Sequence, residues 1–446
     1  MRTTFHLKTL AVAIATLSVA SVTNAAGLDR SGQDVTAFFQ DGTYAEAVYT
    51  YIDADVSGYD SSNNDPLNNR YERGNKTGDI AESYDFFRYG VKTDINDTFS
   101  IGVLYDEPFG AAAEYKGDNN FVANTNPADS AGEFANDPAP NDPISGGTTA
   151  ALKPAIIGAE NSTAGENTKV EFRSENLTAI LGMKLGADKN FQIYGGPVAQ
   201  RVKSDVKLRG LAYGPATSYT SHITPDQDYG WLAGISYSKP EIALKAALTY
   251  RSEIDHSMNI YESYPLAPVL SGGALPSTQV TNMEITTPKS VNFDFQTGIN
   301  PTTLATAKVR WVPWSDFAIT PPLYNAASKN PVSRPDGLNL VDYDDDQWQV
   351  ELGLAKRVAP ALAVSGTVGW DSGAGDVTTS LGPIDGYYSV GLGAKYNVTP
   401  EWAVSAGGKY LWFGDAKGQL PTQKLVGDFQ DNDGYILGMK LSYQGK

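Results

Sequence analysis

The feature that most constrains the fold is a recurring unit, a short turn followed by a strand in which apolar and polar residues alternate. In its clearest copy, after the turn at 397–401, apolar residues occupy almost every second position from Trp402 to Trp412, with mostly small or polar residues between them. Side chains alternate across a β-strand, so the pattern gives one apolar face with aromatic ends. A strand of about 9–11 residues with such a face is typical of a tilted membrane-spanning strand.

Six copies of this unit divide the chain into strand pairs. The turns lie at 95–98, 186–190, 238–241, 299–303, 358–361 and 397–401. A first strand near Tyr44–Val56 and a last strand near Gly434–Tyr443 bring the predicted number to fourteen, and bacterial outer-membrane barrels have even numbers of strands. All tryptophans fall in or at the ends of these strands, which favours a membrane barrel over a soluble sandwich. The sequence therefore predicts an all-β fold, a 14-stranded antiparallel transmembrane β-barrel with long external loops.

The N-terminus has the pattern of an export signal. Arg2 and Lys8 precede a short apolar stretch, 10–22, and Thr23-Asn24-Ala25 matches a small-x-small cleavage site. Such a pattern predicts a signal peptide at 1–25 and export from the cytoplasm. Together with the strands, it predicts a multi-pass protein of the bacterial outer membrane.

Composition excludes several classes of function. The net charge of −17 argues against a nucleic-acid partner, and the absence of cysteine removes disulfides and thiolate sites. With three histidines in the chain, we expect no metal site and no cofactor. Acidic loops are expected to be solvated surface, or else to bridge through cations to lipopolysaccharide. No nucleophile elbow or phosphate loop occurs, so an enzyme is not expected. His256, placed by its parity on the lipid-facing side, leaves a hydrolase as a minor alternative.

Several segments, in order, resemble a known family. They are the predicted mature start Ala26-Gly27-Leu28, the end of the first strand at 51–58, Pro108-Phe109-Gly110 with Tyr115 after it, and the segment Leu248–Glu253. The set resembles the FadL family of long-chain fatty acid transporters over nearly the whole chain after the signal peptide. The stretch before the first strand is shorter than in better-known members and lacks their Asn-Pro-Ala turn.

The resemblance implies a route for a hydrophobic substrate. Residues 26–43 would form a short N-terminal hatch inside a barrel at 44–446, and substrate would leave sideways at an inward kink of the third strand. The candidates for this kink are Glu107, Pro108, Phe109 and Gly110, because proline removes a ladder donor. The alternative is that Pro108 only begins the following loop.

Basic residues on the polar face of the strands are candidates for a ligand site in the lumen. If the apolar rows face lipid, Lys245, Arg251, Lys308 and Arg310 face inward. We predict Arg251 and Lys308 as the preferred pair for a carboxylate, since such cations form charge-assisted hydrogen bonds. Pairing with nearby acids is the alternative. A bulge at Gly195–Pro197, where the apolar row changes phase, would add further inward cations: Arg201, Lys203 and Lys207.

Two loop segments are unusually apolar and are candidates for a first capture site. One contains Leu152, Ile156 and Ile157, and the other contains Leu266 and Val269. Exposed apolar grooves bind acyl chains, but such segments also pack as a lid over a barrel.

These observations predict passive transport of long-chain fatty acids or similar hydrophobic small molecules across the outer membrane, by a monomer in contact with lipid and lipopolysaccharide. Uptake of aromatic hydrocarbons is the first alternative, and a general porin is the second.

Overall fold

A computed structural model describes residues 28–63, 69–125, 149–375 and 377–445. Within them, fourteen antiparallel strands form a closed barrel, as predicted. The strands are β1 (Tyr44–Asp55), β2 (Tyr84–Asp94), β3 (Phe99–Asp106 and Gly110–Glu114), β4 (Lys169–Leu185), β5 (Phe191–Lys207), β6 (Thr220–Lys239), β7 (Leu244–Arg251 and Ile254–Ser263), β8 (Thr278–Thr287 and Ser290–Asn300), β9 (Thr303–Val312), β10 (Gln347–Ala359), β11 (Leu362–Asp371), β12 (Asp385–Asn397), β13 (Trp402–Gly414) and β14 (Asp433–Gln444). The barrel closes because β1 pairs with both β2 and β14. The predicted signal peptide, 1–25, lies outside the described residues.

The alternation of apolar and polar residues along each strand gives the barrel wall an apolar outer face and a polar lumen face. On β13, Trp402, Tyr410 and Trp412 are exposed on the outer face, whereas Ser405 and Lys409 are buried on the lumen side. An apolar outer band with aromatic edges suits contact with lipid, and polar residues are usual on the inside of such barrels. No helix in the described residues is long and apolar enough to cross a membrane.

The longer connections lie at the end of the barrel opposite the short turns and carry small elements. Five short strands form a sheet that we call the cap sheet: Val377–Thr379, Ala416–Gln419, Leu425–Phe429, Gly58–Ser61 and Arg73–Lys76. Other elements are the strand pair Ala318–Ile319 and Val341–Asp342, the helices Thr149–Ser162, Ala267–Leu270 and Pro322–Ser328, and the 3-10 turns Thr36–Phe39, Leu211–Ala216, Pro240–Ile242 and Trp314–Asp316. Apolar side chains from these loops pack into the upper lumen, around Phe109, Trp314 and Phe429.

The predicted bulge at Gly195–Pro197 in β5 is wrong. The register of β5 against β6 is continuous from Phe191 to Val202, and even-numbered residues face the lumen along the whole strand. The apolar row changes side because the upper half of β5 projects beyond the apolar band. There the apolar face packs inward under the loops and the outer face is charged. The cations predicted to face inward are therefore exposed on the outside: Arg201, Lys203 and Lys207.

The predicted lipid-facing position of His256 is also wrong. The two segments of β7 are separated by Ser252 and Glu253, and the strand changes phase there. Leu248, before the interruption, is exposed on the outside, whereas Ile254 and His256, after it, are buried on the lumen side. The alternation of exposed and buried residues in the lower half of β7 therefore does not predict the orientation of residues after the interruption.

Candidate functional site

Residues 28–43, which we call the hatch, run inside the barrel and are held by buried ion pairs. Asp29 accepts two hydrogen bonds from the Arg310 guanidinium, from Nε at 2.7 Å and from the NH2 nitrogen at 2.8 Å. Asp34 accepts from Lys308 Nζ at 2.9 Å and pairs with Arg88 at 3.3 Å. Bidentate pairs of this kind fix geometry as well as charge. The hatch is therefore fixed inside the lower lumen by its ion pairs with the wall.

The charge balance around Asp34 shows in its pKa. Burial alone would raise the pKa of this carboxyl, but the cations Lys308 and Arg88 and hydrogen bonds from Thr36 outweigh burial and hold the pKa well below its usual range. Asp34 is thus a stable anion at neutral pH, and its attraction to both cations persists.

Strand β3 is interrupted at three of the four residues predicted as a kink, Glu107, Pro108 and Phe109, and the fourth, Gly110, begins its second segment. Its ladder with β2 ends at the pair Tyr89–Tyr105, and the next bridge joins Ala81 to Ala113. Between them the chain of β3 turns inward, and Phe109 is 1% exposed. The wall therefore has an interrupted ladder between β2 and β3 next to the hatch.

The hatch replaces the missing ladder partners. Arg30 N donates to Pro108 O at 2.7 Å, and Gly110 N donates to Leu28 O at 2.6 Å. On the other side, Phe109 is held by Ser174, whose hydroxyl accepts from Phe109 N at 2.8 Å. Because the first residues of the hatch are hydrogen-bonded to the interrupted strand, movement of one disturbs the other.

The side chain of Arg30 fills the interruption, and the sequence analysis did not single it out. Its Cζ lies 3.4 Å from the centre of the Tyr84 ring, and a Cβ on Gly110 would stand 2.5 Å from the same Cζ. Tyr84 in turn donates to Glu107 at 2.5 Å. None of the three guanidinium nitrogens of Arg30 has a hydrogen-bond partner, although the residue is 1% exposed. Burial lowers the pKa of this guanidinium, yet arginine remains protonated in proteins.

An apolar cavity lies above the hatch and meets the interrupted strand. Its empty space, together with the solvent-open space at its mouth, is about 750 Å³. Its wall includes Leu28 of the hatch, the segment 110–113 of β3, and loop residues such as Ile319 and Leu381. No charged side chain lines it among the described residues. Concave apolar sites are the usual binding sites for small hydrophobic molecules.

A second pocket, with about 850 Å³ of open space, lies below the hatch, at the end of the barrel that carries the short turns. It is lined by several lysines, among them Lys92, Lys184, Lys245 and Lys308. Three of these bind the hatch. Lys92 Nζ donates to Gln40 O at 2.6 Å, Lys245 Nζ donates to Phe39 O at 2.6 Å, and Lys308 pairs with Asp34. The two pockets are thus on opposite sides of the hatch and differ sharply in polarity.

The structure does not bring the four predicted lumen cations together around the apolar cavity. Lys245, Lys308 and Arg310 all bind the hatch. Arg251 is 3% exposed and donates to Thr178 at 3.2 Å. None of the four lines the apolar cavity among its described lining residues. The sequence predicted that three of these cations face the lumen, but it did not predict their binding partners. Those partners belong to the hatch, more than 200 positions away in the sequence.

The predicted loop residues pack in different ways, and none lines the apolar cavity in the described part of the chain. Ile156 and Leu266 are buried in the upper apolar core, Ile157 is half-buried, and Val269 is 46% exposed. Leu152 lies in the helix Thr149–Ser162, and its side chain is outside the described residues.

Comparison with known proteins now identifies the family. Residues 184–444, more than half of the chain, match the family model described as outer membrane protein transport protein (OMPP1/FadL/TodX). The chain belongs to this family. Membership places it in the outer membrane, in a family whose members are transport channels for hydrophobic molecules.

Solved structures with the same fold cover nearly all of the chain. A FadL homologue from Pseudomonas aeruginosa superposes with a TM-score of 0.63 at 14% identity, over 90% of each chain. The toluene transporter TodX of Pseudomonas putida gives 0.54 at 11% identity, over 96% of this chain and 94% of that one. The Ralstonia pickettii toluene transporter TbuX gives 0.53 at 9% identity, over 96% and 98%. At these identities the similarity establishes the barrel fold. A search of curated proteins by sequence found no match.

Proposed function

We propose that the chain is a passive channel that takes up small hydrophobic molecules through the apolar cavity and releases them sideways at the interruption in β3. The observation that carries this proposal is the contact between the two features, since the segment 110–113 belongs to both the cavity wall and the interrupted strand. The hatch fills the axial route below the cavity, so a sideways exit is the shorter path.

Uncharged molecules such as aromatic hydrocarbons fit the cavity best. Moving a carboxylate into an apolar site without a partner costs many kcal/mol, whereas a hydrocarbon needs no polar partner. The described lining of the cavity is mostly apolar and carries no charged side chain, so it suits a hydrocarbon. Two of the structural relatives described above are named as toluene transporters, which supports the same substrate class.

Long-chain fatty acids are the second candidate, because a cation that stacks on Tyr84 but forms no salt bridge with a described residue lies at the edge of the cavity. The guanidinium of Arg30 packs against Gly110, a residue of the cavity wall, and its nitrogens have no hydrogen-bond partner. A fatty acid with its chain in the cavity would place its carboxylate there and accept two hydrogen bonds in the bidentate geometry of arginine. This proposal assigns the carboxylate to Arg30 instead of the pair Arg251 and Lys308.

A thiol block at the cavity edge tests the route. Because the chain has no cysteine, Ala112→Cys would be the single reactive thiol. Modification with a bulky maleimide should abolish uptake of labelled toluene by whole cells, whereas the same modification at the exposed Thr224→Cys should leave uptake unchanged. Unchanged uptake after complete modification of Ala112→Cys would contradict the proposed route.

A comparison of substrates tests the candidates. Arg30→Gln should lower uptake of labelled oleate at least tenfold and leave toluene uptake within twofold if fatty acids are carried. Equal oleate uptake by both proteins would remove Arg30 from the proposal. A general porin predicts a large, steady conductance in planar bilayers, whereas a barrel filled by the hatch should conduct poorly.

A further inference from the structure

The wall has a second interruption, between β6 and β7 near the end that carries the long loops. Ladder pairs join Thr220–Ile223 to Ile260–Ser263 and Leu232–Lys239 to Leu244–Arg251. No ladder pair joins residues 224–231 to residues 252–259 in this described stretch, and the strands are linked there by single hydrogen bonds, including those from Ser252 N to Trp231 O at 2.9 Å and from Ser257 N to Asp228 at 3.4 Å. This interruption is separate from the one beside Arg30 and is not used by the proposed route.

Three potential metal ligands face each other across the second interruption. Asp226 and Asp228 lie on β6 and His256 lies on β7. One carboxylate oxygen of each aspartate and one ring nitrogen of His256 lie within 4.8 Å of one another. Both aspartates are half-buried, whereas His256 is fully buried.

The hydrogen bonds behind His256 determine which ring nitrogen is protonated. Gln200 Nε2 donates to Asn176 at 2.9 Å, so its Oε1 faces His256 and accepts from Nε2 at 2.9 Å. Thr287 donates to the same oxygen at 2.5 Å. An amide oxygen only accepts, so His256 Nε2 carries the proton and Nδ1 has a free lone pair. Nδ1 has no hydrogen-bond partner, although the residue is 0% exposed.

We propose that Asp226, Asp228 and His256 bind a divalent transition-metal ion such as zinc. An imidazole nitrogen with two carboxylates is a ligand set that zinc accepts, and the two negative charges offset the charge of the ion. Calcium is disfavoured, since it takes six to eight oxygen ligands. The three histidines of the chain led us to expect no metal site. A site with three ligands, two of which are aspartates, needs only one histidine.

The geometry requires a small contraction. Ligands about 2.1 Å from a tetrahedral zinc ion stand about 3.4 Å apart. The two half-buried aspartates are able to rotate inward, whereas His256 is held by Gln200. A ligating histidine commonly donates its other ring N–H to such a partner, which fixes the ring for the metal. The bound ion would join β6 to β7 where the ladder is absent.

Titration calorimetry of the full, untagged protein in detergent tests the proposal, with ZnCl₂ as the titrant. We expect one equivalent of zinc to bind, and His256→Gln to abolish that binding. His222→Gln is the matched control, because His222 pairs with Asp205 at 2.6 Å on the exposed surface and leaves the second interruption untouched. Absence of zinc binding, or the same stoichiometry in His256→Gln, would overturn the proposal.

Two further variants keep the test decisive if His256→Gln fails to fold. Asp226→Asn alters a half-buried ligand and should weaken zinc binding at least tenfold. Gln200→Leu removes the positioning residue and should weaken it about 10- to 100-fold. Zinc should also raise the unfolding temperature of the unmodified protein and not that of Asp226→Asn. Unaltered zinc affinity in both variants would show that the metal binds elsewhere.

Discussion

The pair Asp29–Arg310 offers a sharp test of how the hatch is held. Arg310→Gln removes both hydrogen bonds to Asp29, at 2.7 and 2.8 Å, a third to Asn292 at 2.8 Å and a fourth to Gln33 of the hatch at 3.2 Å. Arg310 and Asp29 are 4% and 0% exposed, so the substitution leaves a buried charge without its cation. Breaking a buried pair in this way costs about 3–5 kcal/mol. If this free energy destabilises only the docked state of the hatch, the equilibrium constant for hatch opening should rise about 100- to 4,000-fold.

The opening is measurable with one cysteine in the hatch. Val35 is 0% exposed, so Val35→Cys should react slowly with a membrane-impermeant thiol reagent and only when the hatch leaves the lumen. In the regime of fast reclosing, the labelling rate follows the opening equilibrium. Adding Arg310→Gln should raise this rate at least 100-fold and should increase the conductance in planar bilayers.

Two controls separate the ion pair from a general loss of charge. Arg201→Gln makes the same change on the exposed outer face of β5 and should leave labelling unchanged. Replacing both partners, as Asp29→Asn with Arg310→Gln, should restore much of the protection, since neither position then carries a buried charge that has lost its partner. A labelling rate in Arg310→Gln within threefold of the parent would refute the view that this pair holds the hatch.

Three further predictions follow from other contacts. The pKa of the Asp34 carboxyl lies below its ordinary value of 3.8, so Asp34 stabilises the docked hatch fully above pH 3.8 and loses this effect as the pH falls further. Conductance in planar bilayers should therefore stay low down to about pH 4 and rise below it. The variant Asp34→Asn should not show this pH dependence. Gly110→Ala places a Cβ 2.5 Å from Arg30 Cζ and should destabilise the protein by about 1–3 kcal/mol in urea unfolding, with a smaller cost when Arg30→Ala is also present. Leu392→Arg puts a charge on the lipid-facing side of β12, where Leu392 is 73% exposed, and should cost about 2–4 kcal/mol, whereas Gln227→Arg, on the exposed face of β6 beyond the aromatic residues, should cost little.

The barrel was predictable because its signals are local. A proline or polar turn and a two-residue period determine each hairpin without knowledge of the rest of the chain, and strands such as β13 follow from them directly. The errors at β5 and β7 both come from extending parity along a strand, but they have different causes. Parity identifies the apolar face but not its surroundings, which change from lipid to solvent where a strand leaves the membrane, and it fails where a strand is interrupted, as at Ser252 and Glu253.

The site was only partly predictable. Pro108 signalled the interruption in β3, because it lacks the N–H that a ladder needs. Arg30 gave no such signal, since its role depends on Tyr84 and Gly110, which are brought to it by folding. The second interruption gave no signal either. The alternation of polar and apolar residues in β6 and in β7, read separately, does not reveal that part of the ladder between the two strands is absent.

The cap sheet has a consequence for assembly order. Its strands Gly58–Ser61 and Leu425–Phe429 pair directly, although they lie near opposite ends of the sequence. Such distant pairing is slow, because the intervening chain has to be ordered first. The barrel strands beside them, β1 and β14, bring these segments together only when the barrel closes. A conformational antibody against the cap sheet would therefore bind molecules whose barrel has closed and would not bind insertion intermediates. The amount of bound antibody would measure how many molecules have completed assembly.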